Sequence, residues 1–166
     1  QKVVEIAPAE GLSPTVRAKI HADAVKLAQH VGYRNAGTVE FMVCGEEYYF
    51  LEVNPRIQVE HTVTEEVTGV DLVQSQIMVA GGATLADIGF SSQSDVPPPY
   101  GCAIQCRITS EDPEQNFQPD AGRIEAYSAP GGPGIRIDGS LSTGNVVTLH
   151  YDSMLCKLIA KGPTFS

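Results

Sequence analysis

Nothing constrains this chain more than the spacing between two strand-like segments. Gly37-Thr38-Val39-Glu40-Phe41-Met42-Val43 and Tyr48-Tyr49-Phe50-Leu51-Glu52-Val53 are rich in β-branched and aromatic residues, and only Cys44 to Glu47 lie between them. Segments this close pair as an antiparallel hairpin, with Gly45 free to take a positive φ. The register then decides the chemistry. A turn of odd length that sets Cys44 opposite Tyr48 places Glu40 opposite Glu52 on one face, with their Cβ atoms about 5 Å apart. A two-residue turn puts them on opposite faces. Facing carboxylates repel unless a cation lies between them. Oxygen ligands from Glu40, Glu52 and Asn54 suit a hard ion such as Mg²⁺, which takes few protein ligands and fills its shell with phosphate oxygens and water. Two glutamates on a wet sheet face are the competing reading.

The odd-length turn is the expectation, because the second strand runs directly into a dense polar stretch. Glu52-Val53-Asn54-Pro55-Arg56-Ile57-Gln58-Val59-Glu60-His61 crowds two carboxylates, an amide, a guanidinium and an imidazole into ten residues interleaved with apolar ones. Side chains alternate along an extended chain, so Glu52 and Asn54 share a face. Arg56, Gln58 and Glu60 share one too if the extension persists past Pro55. A solvated edge strand would also carry such alternation.

Elsewhere the sequence is plainer. Ser13-Pro14 opens a helix, and Val16, Ile20, Ala24, Leu27 and Val31 form a stripe that covers a sheet before Gly32 ends the helix. Lys19, Lys26, His21 and His30 are read as solvated. Thr62-x-x-Glu65 and Asp71-x-x-Gln74 have the form of capping boxes and start two more helices, the second turning Leu72, Val73, Ile77 and Ala80 inward until Gly81-Gly82. Residues 91–100, with three consecutive prolines, read as a linker between a unit at 1–90 and one at 101–166. Short strands then occupy 103–109, 122–127, 134–138, 146–149 and 155–160, an antiparallel sheet. In the first of these, Cys102, Ile104, Cys106 and Ile108 are expected to face the core, with Arg107 held out on the other side beside Ala103 and Gln105. Gly131-Gly132-Pro133-Gly134 lacks the Lys-Ser/Thr of a phosphate loop and reads as a turn.

A formal net charge of -9 argues against non-specific nucleic-acid binding, which needs clustered cations. No apolar run approaches the about 20 residues of a membrane span. The four cysteines contain no Cys-x-x-Cys pair, so they read as reduced thiols in an intracellular chain, cytoplasmic or in the mitochondrial matrix. None of the four histidines is assigned to a metal.

Several of these stretches, in order, carry a family resemblance. Gln1-Lys2-Val3-Val4-Glu5, Gly37-Thr38-Val39-Glu40-Phe41, Glu52 to His61, Cys106-Arg107-Ile108 with Glu111-Asp112-Pro113, and Tyr151-Asp152-Ser153-Met154 resemble consecutive landmarks of biotin carboxylase. Within that family, Asn116-Phe117-Gln118-Pro119-Asp120 and Gly122-Arg123-Ile124-Glu125 are most similar to the pyruvate carboxylases. The resemblance implies an α+β chain: the C-terminal half of an ATP-grasp domain, an antiparallel sheet with helices, followed by the truncated antiparallel β subdomain of the family.

The resemblance also implies roles. Glu40, Glu52 and Asn54 would hold Mg²⁺ or Mn²⁺ against ATP, with Met42 touching the adenine. Lys2, Arg56, Gln58 and the backbone of Val59 would bind bicarbonate, and Glu60 would deprotonate it. Attack on the γ-phosphate would give carboxyphosphate, which yields CO₂ and phosphate. The phosphate would then take the N1′ proton of biotin, and Arg107 would stabilise the resulting enolate. Biotin would arrive on a carrier domain outside this chain. The expected partners are ATP, bicarbonate, that carrier, the missing parts of the same domain and further copies of the protein, with neither nucleic acid nor membrane. Family members carry their glycine-rich loop and ATP-binding lysines upstream of the landmarks seen here, so the 166 residues alone are expected to be inactive. The alternatives are the same segment of an acyl-CoA or urea carboxylase, or a non-catalytic assembly module.

Overall fold

The computed structural model describes residues 2–165; Gln1, which opens the first landmark, and Ser166, at the end of the second expected unit, lie outside the described residues. Strand β1 spans Val4–Ala7, helix α1 Pro14–His30, β2 Thr38–Cys44, β3 Glu47–Asn54, α2 His61–Thr68 and α3 Leu72–Ala80. Besides short 3-10 turns at Ala86–Ile88, Gln93–Asp95 and Pro113–Gln115, the rest is strand and loop: β4 Cys102–Thr109, β5 Glu111–Asp112, β6 Gln118–Pro119, β7 Gly122–Arg123, β8 Ile135–Gly139, β9 Val146–Val147 and β10 Met154–Gly162. Helices with wholly antiparallel strands make an α+β chain, as expected.

Helix α1 starts as its sequence dictates. The Ser13 hydroxyl accepts from the Val16 amide at 3.2 Å, and Pro14 sits next to it in the first turn. The stripe behaves less simply, since only Val16 is buried and Leu27 and Val31 line an apolar gap of about 340 Å³ facing Val39, Phe50 and Val53 of the hairpin. Asp71 caps α3, accepting from the Gln74 amide at 2.7 Å. The inward face expected of α3 is absent, however: none of its residues is buried, and Ile77 is 69% exposed. Thr62 is not a cap either. Glu60 holds that position without a side-chain capping bond, while Thr62, two residues on, is buried against Gln105.

The main sheet has the order β1-β4-β10-β8. Helix α2 lies across one face, where Val63 and Val67 pack on Ala103 and Ile159 with Ala7 beside them. This reverses the expectation for β4. The covered face carries Ala103, Gln105 and Arg107, whereas on the other face Ile108 is exposed, Ile104 and Cys106 are only half-buried, and Cys102 alone of the expected four is buried. The reversal is possible because the buried amide of Gln105 finds partners on both sides, Thr62 and Glu5, and so carries no unsatisfied polar atom into the core. The strand expected at 122–127 shrinks to two residues paired with β9, and 131–134 is a turn in which a Cβ on Gly134 would meet the Lys161 carbonyl at 2.5 Å.

The β2–β3 hairpin corrects the expected turn and keeps its consequence. Cys44 pairs with Glu47, so the turn holds two residues, Gly45 and Glu46, with Gly45 at φ 61°. Continued regularly, that register would set Glu40 opposite Leu51. Instead a β-bulge between Phe41↔Phe50 and Glu40↔Glu52 absorbs Leu51 as an extra residue and restores the pairing of the two glutamates. Val39 then meets Val53, and Thr38 meets Asn54.

The core and the bulge can each be tested by one change. Ile159→Ala, at a position with no exposure, should cost about 3 kcal/mol in urea unfolding. Deleting Leu51 should leave Glu40 opposite Glu52, because the turn-side ladder already ends at Phe41↔Phe50; loss of the cross-strand NOE between the two glutamates would contradict the bulge assignment.

Candidate functional site

Strand β3 ends at Asn54 because Pro55 has no amide hydrogen to give to a ladder. The Arg56 amide turns back to the Asn54 carbonyl at 2.8 Å, and the chain then bends through Ile57–Glu60 into α2, with the His61 amide bonded to the Gln58 carbonyl at 3.2 Å. Arg56, Gln58 and Glu60 therefore do not share a strand face, because the extension stops at the proline. Gln58 and Glu60 are brought to the site by the loop. Exposed Arg56 donates to its neighbour's Ile57 carbonyl at 3.1 Å.

Glu40 is the centre. Its Oε1 accepts from Lys2 Nζ at 2.5 Å, Gln58 Nε2 at 2.8 Å and Asn54 Nδ2 at 3.1 Å, and the same Asn54 nitrogen donates to Glu52 Oε1 at 2.9 Å. Lys2 also reaches Glu60 Oε1 at 3.1 Å, and the other Glu60 oxygen accepts from Arg107 Nη2 at 3.0 Å. Arg107 is itself held by Glu5 Oε1, 2.7 Å from Nε and 2.6 Å from Nη2. Two cations thus flank the Glu60 carboxylate, one on each oxygen. The Lys2 hydrogen bond, helped by Gln58, holds the Glu40 carboxyl below the usual glutamate range, and the Glu40 bond raises the Lys2 ammonium above its own.

Of the residues expected at a site, Lys2, Glu40, Glu52, Asn54, Gln58, Glu60 and Arg107 fall into this one continuous network. Met42 does not: it lies two residues from Glu40 on β2, opposite Tyr49, and is exposed. Val59 enters through its backbone, its carbonyl accepting from Lys157 Nζ at 3.0 Å. A cleft of about 680 Å³ opens beside Lys2, Val59 and Arg107, and Asp152, Ser153 and Met154 of the last landmark line its far side.

Four further participants are not among the residues expected at the site. Buried Thr62 and Gln105 and half-buried Glu5 form a relay behind Arg107, and Lys157 stands behind Val59. The only signal for Glu5 and Gln105 was alternation, since they pair directly across β1 and β4 and Gln105 precedes Arg107 by two.

Among the described residues, no group of three His, Cys, Asp or Glu side chains is arranged to hold a metal. Glu40, Glu52 and Asn54 nevertheless form a set of hard donors. Both carboxylates converge on the Asn54 amide, and the same amide turned over would present Oδ1 instead of Nδ2. That set fits an ion such as Mg²⁺, which needs few protein oxygens.

Known proteins match this chain in sequence and in fold. Residues 1–88 match the family of the carbamoyl-phosphate synthase L chain, ATP binding domain, and residues 105–166 match the biotin carboxylase C-terminal domain. The pyruvate carboxylase of Aspergillus niger is 56% identical over 167 residues, covering 99% of this chain and 14% of the longer protein. The biotin carboxylase domain dimer of Hydrogenobacter thermophilus 2-oxoglutarate carboxylase, in complex with MgADP, ADP and bicarbonate, superposes with a TM-score of 0.91 at 46% identity over 99% of this chain and 35% of that one. A complete multifunctional pyruvate carboxylase from Rhizobium etli gives 0.90 at 48% identity over 99% of this chain and 16% of its own. The chain thus spans 14% of the length of the curated relatives it matches.

The central ion pair has a pH signature. Because the Glu40 carboxyl is depressed, its contribution to stability is present above the ordinary carboxylate pKa and fades as pH falls through the lower folded value. A ¹³C carboxyl titration should place Glu40 below the usual glutamate midpoint. Lys2→Met should move it upward; an unmoved midpoint would discount the Lys2 bond as the main cause.

Proposed function

The chain belongs to the ATP-grasp biotin carboxylase family, and from that membership we propose that it forms the metal-, bicarbonate- and biotin-facing part of the biotin carboxylase of a pyruvate carboxylase. In this reading the protein is a ligase that uses ATP and bicarbonate to carboxylate biotin carried on a separate domain, and the carboxyl group passes on to pyruvate to give oxaloacetate. The relatives' names and coverage support pyruvate as acceptor. The family ranges support a division at 1–90 and 101–166, and the dimeric neighbour supports assembly of copies. A reducing compartment, cytoplasm or mitochondrial matrix, suits its free cysteines.

The observation that carries the reading is the Glu60 carboxylate held between Lys2 and Arg107, with the Glu40 cluster adjoining through Lys2. Glu40, Glu52 and Asn54 would hold Mg²⁺ or Mn²⁺, which when bound neutralises the ATP phosphates. Lys2, Arg56, Gln58 and the Val59 backbone supply the cationic and hydrogen-bonding cradle for bicarbonate, a planar anion that a guanidinium matches well. Glu60 takes the bicarbonate proton as general base. The oxygen so released attacks the γ-phosphorus, the bond to ADP breaks, and carboxyphosphate forms. Arg107, fixed by Glu5, supplies positive charge where negative charge develops on the biotin side. Met42 contributes an apolar contact to the adenine.

In a full-length carboxylase carrying this segment, Glu60→Gln should lower bicarbonate-dependent ATP cleavage by at least about 100-fold while leaving ATP binding within about twofold. Wild-type turnover in that variant would remove the base assignment.

A further inference from the structure

Lys157 has no part in the carboxylation steps, yet it is only 7% exposed and reaches the loop on which those steps depend. A buried ammonium is costly unless its protons find acceptors. Here Nζ donates to the Val59 carbonyl at 3.0 Å and lies 3.5 Å from Asp138 Oδ2. Lys157 stands on the inner strand β10, directly opposite Arg107 of β4 on one side and Asp138 of β8 on the other.

The support behind it is extensive. Arg136 grips Asp138 through two parallel bonds of 2.7 and 2.9 Å and reaches across to Glu65 of α2 at 2.8 Å. Glu65 in turn accepts from the Leu72 amide at 2.7 Å, at the start of α3. Asp138 is thus fixed by Arg136, itself anchored to α2 through Glu65, and Lys157 is fixed by Asp138 and by its strand. Its other bond goes to the loop carbonyl of Val59. That carbonyl belongs to the peptide unit whose nitrogen is that of Glu60, so orienting it orients the entry to the base.

We infer that Lys157 is a positioning residue for the bicarbonate cradle: its ammonium, seated against Asp138 on the sheet, pins the Val59 carbonyl and thereby sets the placement of the Glu60 carboxylate between Lys2 and Arg107. This rests on the reading of Arg56 to Glu60 as the cradle and base. A charged donor makes a strong and directional bond, and a misplacement of about 1 Å in such a loop costs on the order of 100-fold in rate. Among the described residues, Lys157 makes no direct hydrogen bond to the hairpin that builds the nucleotide side, which adjoins the cradle only through Lys2 and Gln58.

The test is steady-state bicarbonate-dependent ATP cleavage in a full-length carboxylase carrying this segment, with KM measured separately for bicarbonate and for ATP. Lys157→Met keeps the apolar stem and removes the donor; it should raise the bicarbonate KM by about tenfold while the ATP KM stays within about twofold. Lys157→Arg, which keeps the charge but shifts the donor, should fall between wild type and Lys157→Met. Unchanged bicarbonate KM, or parallel rises in both KM values with a lowered Tm, would overturn the assignment. Should Lys157→Met not fold, Lys157→Arg alone decides, and a wild-type bicarbonate KM there overturns it. Glu60→Gln in the same assay separates the two ideas: an active Glu60→Gln removes the cradle reading and this inference with it, whereas an inactive Glu60→Gln beside an unchanged Lys157→Met removes only the role of Lys157.

Discussion

The way one strand accommodates Leu51, bulged out of the ladder, governs what this site can be. With a two-residue turn, a regular hairpin would turn Glu40 and Glu52 to opposite faces, and no shared donor set would exist. The bulge at Leu51 switches the alternation of β3 halfway along, so that Phe41 and Phe50 pair on one side and stack edge to face at 6.4 Å while the glutamates pair on the other. Bulges re-aim side chains at little cost to the rest of a ladder. Here the re-aimed side chain is a carboxylate, and the electrostatic cost of setting it opposite another is offset by Asn54, Lys2 and Gln58.

The second half of the site depends on burial of polar groups. Helix α2 brings Thr62 to β4, Thr62 and Glu5 satisfy Gln105, and Glu5 clamps Arg107. An arginine on a solvated strand would sample many rotamers; this one has a carboxylate on each side. Ion pairs on open surfaces contribute little to stability, but pre-setting a guanidinium in a half-buried site removes entropy that binding would otherwise have to remove.

Much of this was legible in the residues. Ser13, Asp71, Gly32 and the hairpin arise from local rules that act over four or five residues, and those features stand where the rules put them. The pairing of Glu40 with Glu52 was legible as a need, though its device was not: a bulge leaves no compositional mark at Leu51. The orientation of β4 was misread because apolar Ile104, Cys106 and Ile108 outvote Gln105 by hydrophobicity alone, and only the tertiary partners Thr62 and Glu5 reverse that vote. Likewise the capping-box form at Thr62 lost to a better use of its hydroxyl 43 positions away in sequence. Nothing local ties Lys157 to Val59, 98 positions away, so spacing and alternation leave it unmarked.

Strand β1 has a consequence for modularity. Val4–Ala7 precedes the hairpin and both later helices in sequence, yet it is an edge strand of the sheet built by β4, β10 and β8, paired residue for residue from Val4↔Cys106 to Ala7↔Ala103. The two family segments are therefore interleaved like clasped fingers rather than strung like beads. A chimera that exchanged only the later segment between relatives would have to carry a compatible Val4–Ala7 with it, because that strand is coupled by its ladder to the end of the chain.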